Sequence, residues 1–162
     1  METKENVISI LVNNKPDVLA RISGTLSGRG FNIESISANV TKDPNKTKII
    51  ITTIGSRVTL TKILKQISKL VDIITVDDFT GRKAVRRELF LVRMKWSEEG
   101  SKSKIVALVE AKKWKILCAD DDFCILEICG EGEELQKEML ALEPLGLEDF
   151  TRSGVVAIEK GN

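Results

Sequence analysis

The spacing of apolar residues along this chain follows one order, strand, helix, strand, strand, helix, strand, and that order occurs twice. In the first half, short apolar runs are typical of four strands, and a period near 3.6 residues indicates two helices. The strands are expected at 7–12, 33–40, 48–54 and 73–76, and the helices at 18–28 and 60–70. Right-handed crossovers between such elements place both helices on one face of a four-stranded antiparallel sheet.

Local signals mark the ends of these two helices. Gly28 and Gly30 end the first helix, and Gly30 suits the left-handed position that follows a helix. Ser56 or Thr59 begins the second helix, because hydroxyl side chains accept hydrogen bonds from the first free N–H groups.

The second half repeats the order less regularly. Strands are expected at 89–94, 114–119, 123–129 and 147–151 with 155–158, and helices at 102–111 and 133–142. A polar and basic segment, 80–87, separates the halves and is interpreted as a linker. The predicted fold class is therefore α+β, with two ferredoxin-like βαββαβ domains at 1–80 and 85–162.

The composition argues against several functions. The chain has 162 residues, a net charge of +1, and neither His nor Tyr, so the commonest general base and metal ligand is missing. Five Phe and two Trp are too few for the stacking platform of a single-strand nucleic-acid binder. Near-zero net charge gives no reason to expect a nucleic-acid or membrane partner. These features favour a non-catalytic protein.

Cys118, Cys124 and Cys129 lie in the apolar hairpin of the second half. Cys124 and Cys129 are an odd number of residues apart, so on one straight strand they point to opposite faces and cannot pair locally. A zinc site is not expected without His or a CxxC pair. All three are predicted to be buried, reduced thiols.

The segment METKENV lacks the basic and apolar regions of a signal peptide, and no apolar run reaches the roughly 18 residues of a membrane span. Together with the reduced thiols, these features predict a cytoplasmic location.

Four segments carry a family resemblance. They are 14–22 (NKPDVLARI), 29–35 (RGFNIES), 87–94 (RELFLVRM) and 152–158 (RSGVVAI). The first turn is similar to one shared across the ACT family of amino-acid sensors, whereas RGFNIES and RSGVV are more specific. Together the segments span nearly the whole chain, which resembles the small, regulatory subunit of acetolactate synthase.

The resemblance implies a fold and a role. Residues 1–80 are expected to form an ACT domain, and 85–162 the second domain typical of this subunit. Such a subunit binds and activates the large catalytic subunit in branched-chain amino-acid biosynthesis, and in many members it confers feedback inhibition by valine. Thiamine diphosphate, Mg²⁺ and FAD are expected in the large subunit, and none of them in this chain.

The resemblance also implies an amino-acid site at a dimer interface. The site would combine Asn14, Pro16, Asp17, Val18 and Leu19 of one chain with Asn32 and Ile33 of its neighbour. A helix start attracts a carboxylate, amide oxygens accept from an ammonium, and an apolar wall takes the side chain. Asn14 as an ordinary turn residue and Asn32 as an ordinary residue at a strand start are the alternatives.

Asp17 stands where the family usually has Gly. Its carboxylate can occupy the N–H groups at the helix start and repel that of a ligand. Two unit charges about 4 Å apart repel by about 1 kcal/mol in water and about 4 kcal/mol near a protein surface. Valine binding is therefore expected to be weakened by about tenfold to a thousandfold. An Asp17 side chain turned outward would have no such effect.

A homodimer through the first helix and the second strand is expected. Gly24 lies inside the first helix, where Gly costs up to about 1 kcal/mol relative to Ala, so close packing against a second chain is a reason for it. Ile36 lies on the strand predicted to share that interface.

Four other hypotheses are less favoured. A stand-alone ACT sensor of the transcriptional kind usually carries a DNA-reading element, and none is visible. An acylphosphatase-like enzyme needs an Arg in the phosphate loop after the first strand. Here that loop is 13–17 (NNKPD), which has no Arg, and Asp17 would repel phosphate. A nucleic-acid site at Arg82, Lys83, Arg86 and Arg87 is not favoured, because these four charges are interpreted as part of a solvated linker. A cation site at the acidic runs 77–78 and 120–122 is not favoured, because they lack the ligand spacing of a calcium loop.

Overall fold

The computed structural model describes residues 4–28, 31–81, 84–96 and 100–161. The chain divides into two compact units. One contains the residues up to Val85 together with those from Val155 onward, and the other contains Arg86–Gly154.

The first unit has the predicted βαββαβ order. Its elements are β1 (Lys4–Asn13), α1 (Val18–Ser27), β2 (Ser35–Val40), β3 (Lys46–Gly55), α2 (Arg57–Ile67) and β4 (Ile73–Asp78). The strands form an antiparallel sheet in the order β2-β3-β1-β4, which leaves β2 and β4 at the edges. Ser56 caps α2, since its hydroxyl accepts a hydrogen bond from the Thr59 N–H at 3.2 Å, so the predicted helix start is confirmed. Gly30 lies outside the described residues.

The helices cover one face of this sheet. Each buries three apolar residues at helical spacing: Val18, Ile22 and Leu26 of α1, and Leu60, Ile63 and Ile67 of α2. These side chains pack on alternate residues of the central strands, including Ile8, Ile10, Ile49 and Ile51. Alternation along a strand is what directs these four residues to the same face.

The opposite face of the sheet carries a second apolar cluster. Val7 and Ile50, which alternate with the residues above, are buried together with Phe79, Ala84 and Val155. Val155 comes from the C-terminal segment, which ends in strand β9 (Val156–Glu159), and β9 pairs with β5 (Ala84–Lys95). The face that a single βαββαβ unit leaves open is therefore partly covered by the chain's own C-terminal segment.

The second unit repeats the order. It contains most of β5, followed by α3 (Ser101–Lys112), β6 (Lys115–Ala119), β7 (Phe123–Gly130), α4 (Gly132–Leu142), a short 3₁₀ turn (Glu143–Leu145) and β8 (Leu147–Arg152). The strand order β6-β7-β5-β8 matches that of the first sheet, so the prediction of two ferredoxin-like domains is confirmed. Phe90, Val92 and Met94 of β5 form the centre of its core.

These units differ in two places from the predicted division at 1–80 and 85–162. Strand β5 already begins at Ala84, inside the segment interpreted as a linker, and Ala84 is buried in the second apolar cluster of the first unit. The second unit ends at Gly154, whose φ of +75° is a conformation that favours glycine. The predicted boundaries at 80 and 85 stay predictions.

The cysteine prediction is correct for one residue and wrong for two. Cys124 is buried in the core of the second unit, and burial raises the pKa of its thiol to about 11. Cys118 and Cys129 are exposed. Cys118 lies on the edge strand β6, all of whose residues are exposed, and Cys129 points away from the core side of β7.

Two of the segments that carry the family resemblance meet in the second unit. The Glu88 carboxylate, whose side chain is 1% exposed, forms two hydrogen bonds with Arg152: Nε donates to Oε1 at 2.7 Å and Nη2 to Oε2 at 3.3 Å. Leu89 and Ser153 are bonded twice, through Leu89 N to Ser153 Oγ and Ser153 N to Leu89 O. The RELFLVRM and RSGVV segments therefore hold each other in place.

Candidate functional site

The loop between β1 and α1 is held by the hairpin between β2 and β3. Asn14 N donates to Asn45 O at 2.8 Å, and its side-chain amide donates to Pro44 O at 3.0 Å. The amide oxygen of Asn14 accepts from the Thr47 hydroxyl at 3.1 Å. Both ends of the Asn14 amide are thus bonded to the protein, so its first role is to shape the loop.

A groove of about 520 Å³ lies between this loop and the edge of the sheet. One side consists of loop residues, among them Asn13, Asn14, Lys15 and Pro16. The other side is apolar and consists of Val18, Leu19, Ala38, Val40 and Ile49. Leu19 is 40% exposed and Val40 57% exposed, so the apolar wall is open to solvent. A groove of this size is within the range of small-molecule sites.

The structure brings together four of the seven predicted ligand-binding residues. Asn14, Pro16, Val18 and Leu19 line the groove. In the described chain Asp17, Asn32 and Ile33 lie outside it. The Asn32 amide donates to Glu34 Oε1 at 2.6 Å, and Ile33 packs against the core under the helices. The assignment of these residues to a ligand, with Asn32 and Ile33 coming from a neighbouring chain, stays a prediction.

Asp17 does not cap α1. Among the residues that the structure describes, no backbone N–H group donates a capping hydrogen bond to the Asp17 carboxylate, although Asp17 stands at the N-cap position. Its Oδ2 lies 3.0 Å from Nε of Arg21, one helical turn further along. The expected competition for the N–H groups is therefore replaced by an ion pair within the helix.

Asp72 is the centre of a charge cluster that the sequence did not reveal. The turn between α2 and β4 places its carboxylate 2.7 Å from Lys15 Nζ and 2.9 Å from Arg21 Nη2. Asn13 Nδ2 donates to the same carboxylate at 3.0 Å. These hydrogen bonds hold the pKa of Asp72 well below its usual range, and the one from Lys15 has the largest effect. Asp17, Asp72, Lys15 and Arg21 together have no net charge.

The two predicted dimer-interface residues are on the surface of the first unit. Gly24 is exposed, and a Cβ added there would meet no described atom within 4 Å. Ile36 lies on the edge strand β2 with 37% of its surface exposed. Both are accessible to a second chain, and the homodimer itself stays a prediction.

Residues 4–28, 31–81, 84–96 and 100–161 contain no cluster of three or more Cys, Asp or Glu side chains able to hold a metal ion. Within those same ranges, no helix is long and apolar enough to cross a membrane.

Comparison with known proteins gives a family for both units. Residues 8–75 match the model of the AHAS small subunit-like ACT domain, and residues 87–161 match the small subunit of acetolactate synthase. The probable acetolactate synthase small subunit of Methanothermobacter thermautotrophicus is 32% identical over 162 residues, which is all of this chain and 96% of that one. The acetolactate synthase small subunit of Mycobacterium bovis is 30% identical over 99% of this chain and 95% of that one.

A solved structure agrees. The acetolactate synthase small subunit of Thermotoga maritima superposes with a TM-score of 0.87 and 30% identity, covering 98% of this chain and 99% of that chain. The resemblance carried by the four segments is thereby confirmed. The chain belongs to the family of acetolactate synthase small subunits, regulatory proteins whose N-terminal unit is an ACT domain.

Proposed function

We propose that this chain binds and activates the large catalytic subunit of acetolactate synthase, and that its first unit senses valine only weakly. The first part is supported by relatives over the full chain length that carry the name of a small subunit, which implies a large one. The rival hypothesis of a stand-alone sensor is disfavoured, because residues 87–161 match a domain named after that subunit.

The amino-acid site is supported by the groove beside the β1–α1 loop. Its apolar wall, formed by residues of α1, β2 and β3, suits an isopropyl side chain. The groove also contains Val18 and Leu19, the first two residues of α1, so a ligand there is close to the positive end of the helix. A free amino acid needs both environments, one for its side chain and one for its carboxylate.

Weak sensing follows from the charges around the loop. Lys15 and Arg21 both pair with Asp72, and Arg21 also pairs with Asp17. The two cations are therefore balanced by two carboxylates, and a third carboxylate from the ligand gains little. In a chain with Gly at position 17, the remaining charges of Lys15, Arg21 and Asp72 would sum to +1.

The activation test uses the purified chain and its cognate large subunit. The chain alone is expected to form no acetolactate, and its addition should raise the turnover of the large subunit several-fold and reach a plateau at a fixed ratio. Turnover is measured by acetolactate formation, with an unrelated protein at the same concentration as the control. If saturating amounts change neither the rate nor the substrate affinity of the large subunit, the proposal is wrong.

We also propose a homodimer through α1 and the β2 edge, and Gly24→Leu tests it. Within one chain the substitution has open space, and Leu favours a helix over Gly by about 0.8 kcal/mol, so α1 should be stabilised. At an interface the larger side chain should push two helices apart and favour monomers. Analytical ultracentrifugation measures the change, with Gly24→Ala as the smaller, milder control. An unaltered dimer for Gly24→Leu excludes Gly24 from the interface.

A further inference from the structure

We propose that Asp72, which lies outside the groove, is a positioning residue for it: its carboxylate and backbone fix the β1–α1 loop in the conformation that forms the loop side of the groove. This inference rests on the proposed amino-acid site and adds a residue to it.

The contacts of Asp72 converge on one short stretch of chain. Its carboxylate accepts from Asn13 Nδ2 at 3.0 Å, Lys15 Nζ at 2.7 Å and Arg21 Nη2 at 2.9 Å, and its carbonyl accepts from Asn13 N at 2.9 Å. Arg21 Nη1 also donates to Val71 O at 3.2 Å. One turn thus holds the end of β1, the loop and the first helix.

The backbone around Asp72 is shaped to place its side chain there. The pairing of β1 with β4 shifts register between Leu11 and Val12, so that Val12 is opposite Ile73 and Leu11 opposite Thr75. Such a bulge re-aims neighbouring side chains. Asp72 itself has a φ of +73°, a conformation that Asp and Asn tolerate better than other residues with a side chain.

Asp72 does not line the groove but is connected to it through its hydrogen-bond partners. Asn13 and Lys15, two of its partners, both line the groove, and the Lys15 N–H donates to Asn13 O at 2.9 Å. The carboxylate side chain of Asp72 is only 7% exposed, so solvent competes little for it. If the carboxylate is lost, the side chains of Asn13 and Lys15 lose this hydrogen-bond acceptor, and only backbone hydrogen bonds then hold this side of the groove to the turn.

Asp72→Asn separates charge from shape. Asparagine keeps the size of the side chain and tolerates the positive φ, but it replaces one acceptor oxygen by a donor and removes the charge. The matched control is Asp77→Asn on β4, because Asp77 is exposed and accepts a hydrogen bond from the hydroxyl of Thr75 at 3.1 Å.

The first measurement is hydrogen exchange of the loop amides in the full chain without ligand. Asp72→Asn should accelerate exchange at Asn13 and Lys15 by about tenfold, as expected for loss of a charge-assisted hydrogen bond. Asp77→Asn should leave both rates unchanged. Equal rates in Asp72→Asn and the unmodified chain would overturn the proposal.

The second measurement is calorimetric titration with L-valine in the Asp17→Gly background. At high salt, which screens the added positive charge of the cluster, adding Asp72→Asn should weaken binding by about tenfold, whereas adding Asp77→Asn should not. A purely structural role would lower the melting temperature but leave the affinity of the folded protein unchanged, and that result also overturns the proposal. If Asp72→Asn does not fold, Arg21→Gln, which removes one partner, replaces it in both measurements.

The two proposals fail in different ways. Absence of valine binding by Asp17→Gly contradicts the proposed valine site, and the exchange rates then decide alone whether Asp72 fixes the loop. Valine binding by Asp17→Gly that is insensitive to Asp72→Asn supports the site and rejects Asp72 as its positioning residue.

Discussion

Replacing Arg152 with Met should lower the free energy of unfolding of the second unit by about 2–3 kcal/mol. The reason is that Glu88 keeps a carboxylate that is 1% exposed and loses both of its hydrogen bonds to the guanidinium. The expected loss is at or below the lower end of the about 3–5 kcal/mol typical of a broken buried ion pair, because Arg152 itself is 41% exposed. Methionine retains most of the apolar contact with Phe90, over whose ring the guanidinium lies at 5.5 Å.

Tryptophan fluorescence is a selective measurement of this effect. The chain has two Trp residues, Trp96 and Trp114, and both lie in the second unit, so urea denaturation followed by their emission reports the unfolding of that unit.

Controls separate burial from charge. Arg87→Met removes a neighbouring pair with Glu131 that is 53% and 59% exposed at its two ends, and it should cost less than about 1 kcal/mol. Adding Glu88→Gln to Arg152→Met should recover part of the loss, because an uncharged amide is cheaper to bury than an unpaired carboxylate. An Arg152→Met chain as stable as Arg87→Met would show that the pair contributes nothing specific.

The fold was predictable because two periods of apolar residues dominate its sequence. Alternation along β1 and β3 and helical spacing along α1 and α2 follow from the burial of one face, which a single sequence displays directly. Glu88 belongs to the same alternating row as Phe90, Val92 and Met94, so its burial was visible in principle. Its partner was not, since Arg152 is 64 residues away and meets it only through strand pairing.

The candidate site was predictable to the extent that its residues are contiguous in the sequence. Asn14, Pro16, Val18 and Leu19 share the groove because they follow one another from loop to helix. Ala38 and Ile49 join them through the register of β2 on β3, which sequence spacing does not determine. The position of Asp72 depends on a bulge and on a left-handed backbone. The cysteine error has another origin, since Cys118 lies on the exposed edge strand β6 and Cys129 on the side of β7 opposite the core.

Asp17→Gly should strengthen valine binding by about tenfold, the lower end of the range expected from charge repulsion alone. The Asp17 carboxylate is 3.0 Å from Arg21 Nε, so part of its charge is already balanced, and the helix N–H groups are not occupied by it. Its removal changes the charge of the cluster with Asp72, Lys15 and Arg21 from zero to +1, which favours the ligand carboxylate. Glycine additionally allows the ligand to approach the backbone closely.

Calorimetric titration of both versions at low and high salt measures the electrostatic part. Exposed charges are screened over about 8–10 Å at moderate ionic strength, so added salt should narrow the difference between the two affinities. Asp17→Asn is the matched control, because it removes the charge and keeps the side chain. If Asp17→Asn recovers most of the gain, the charge limits binding; if only Asp17→Gly does, close approach to the backbone limits it. Equal affinity of all three versions would show that Asp17, turned toward Arg21, has no effect on the ligand.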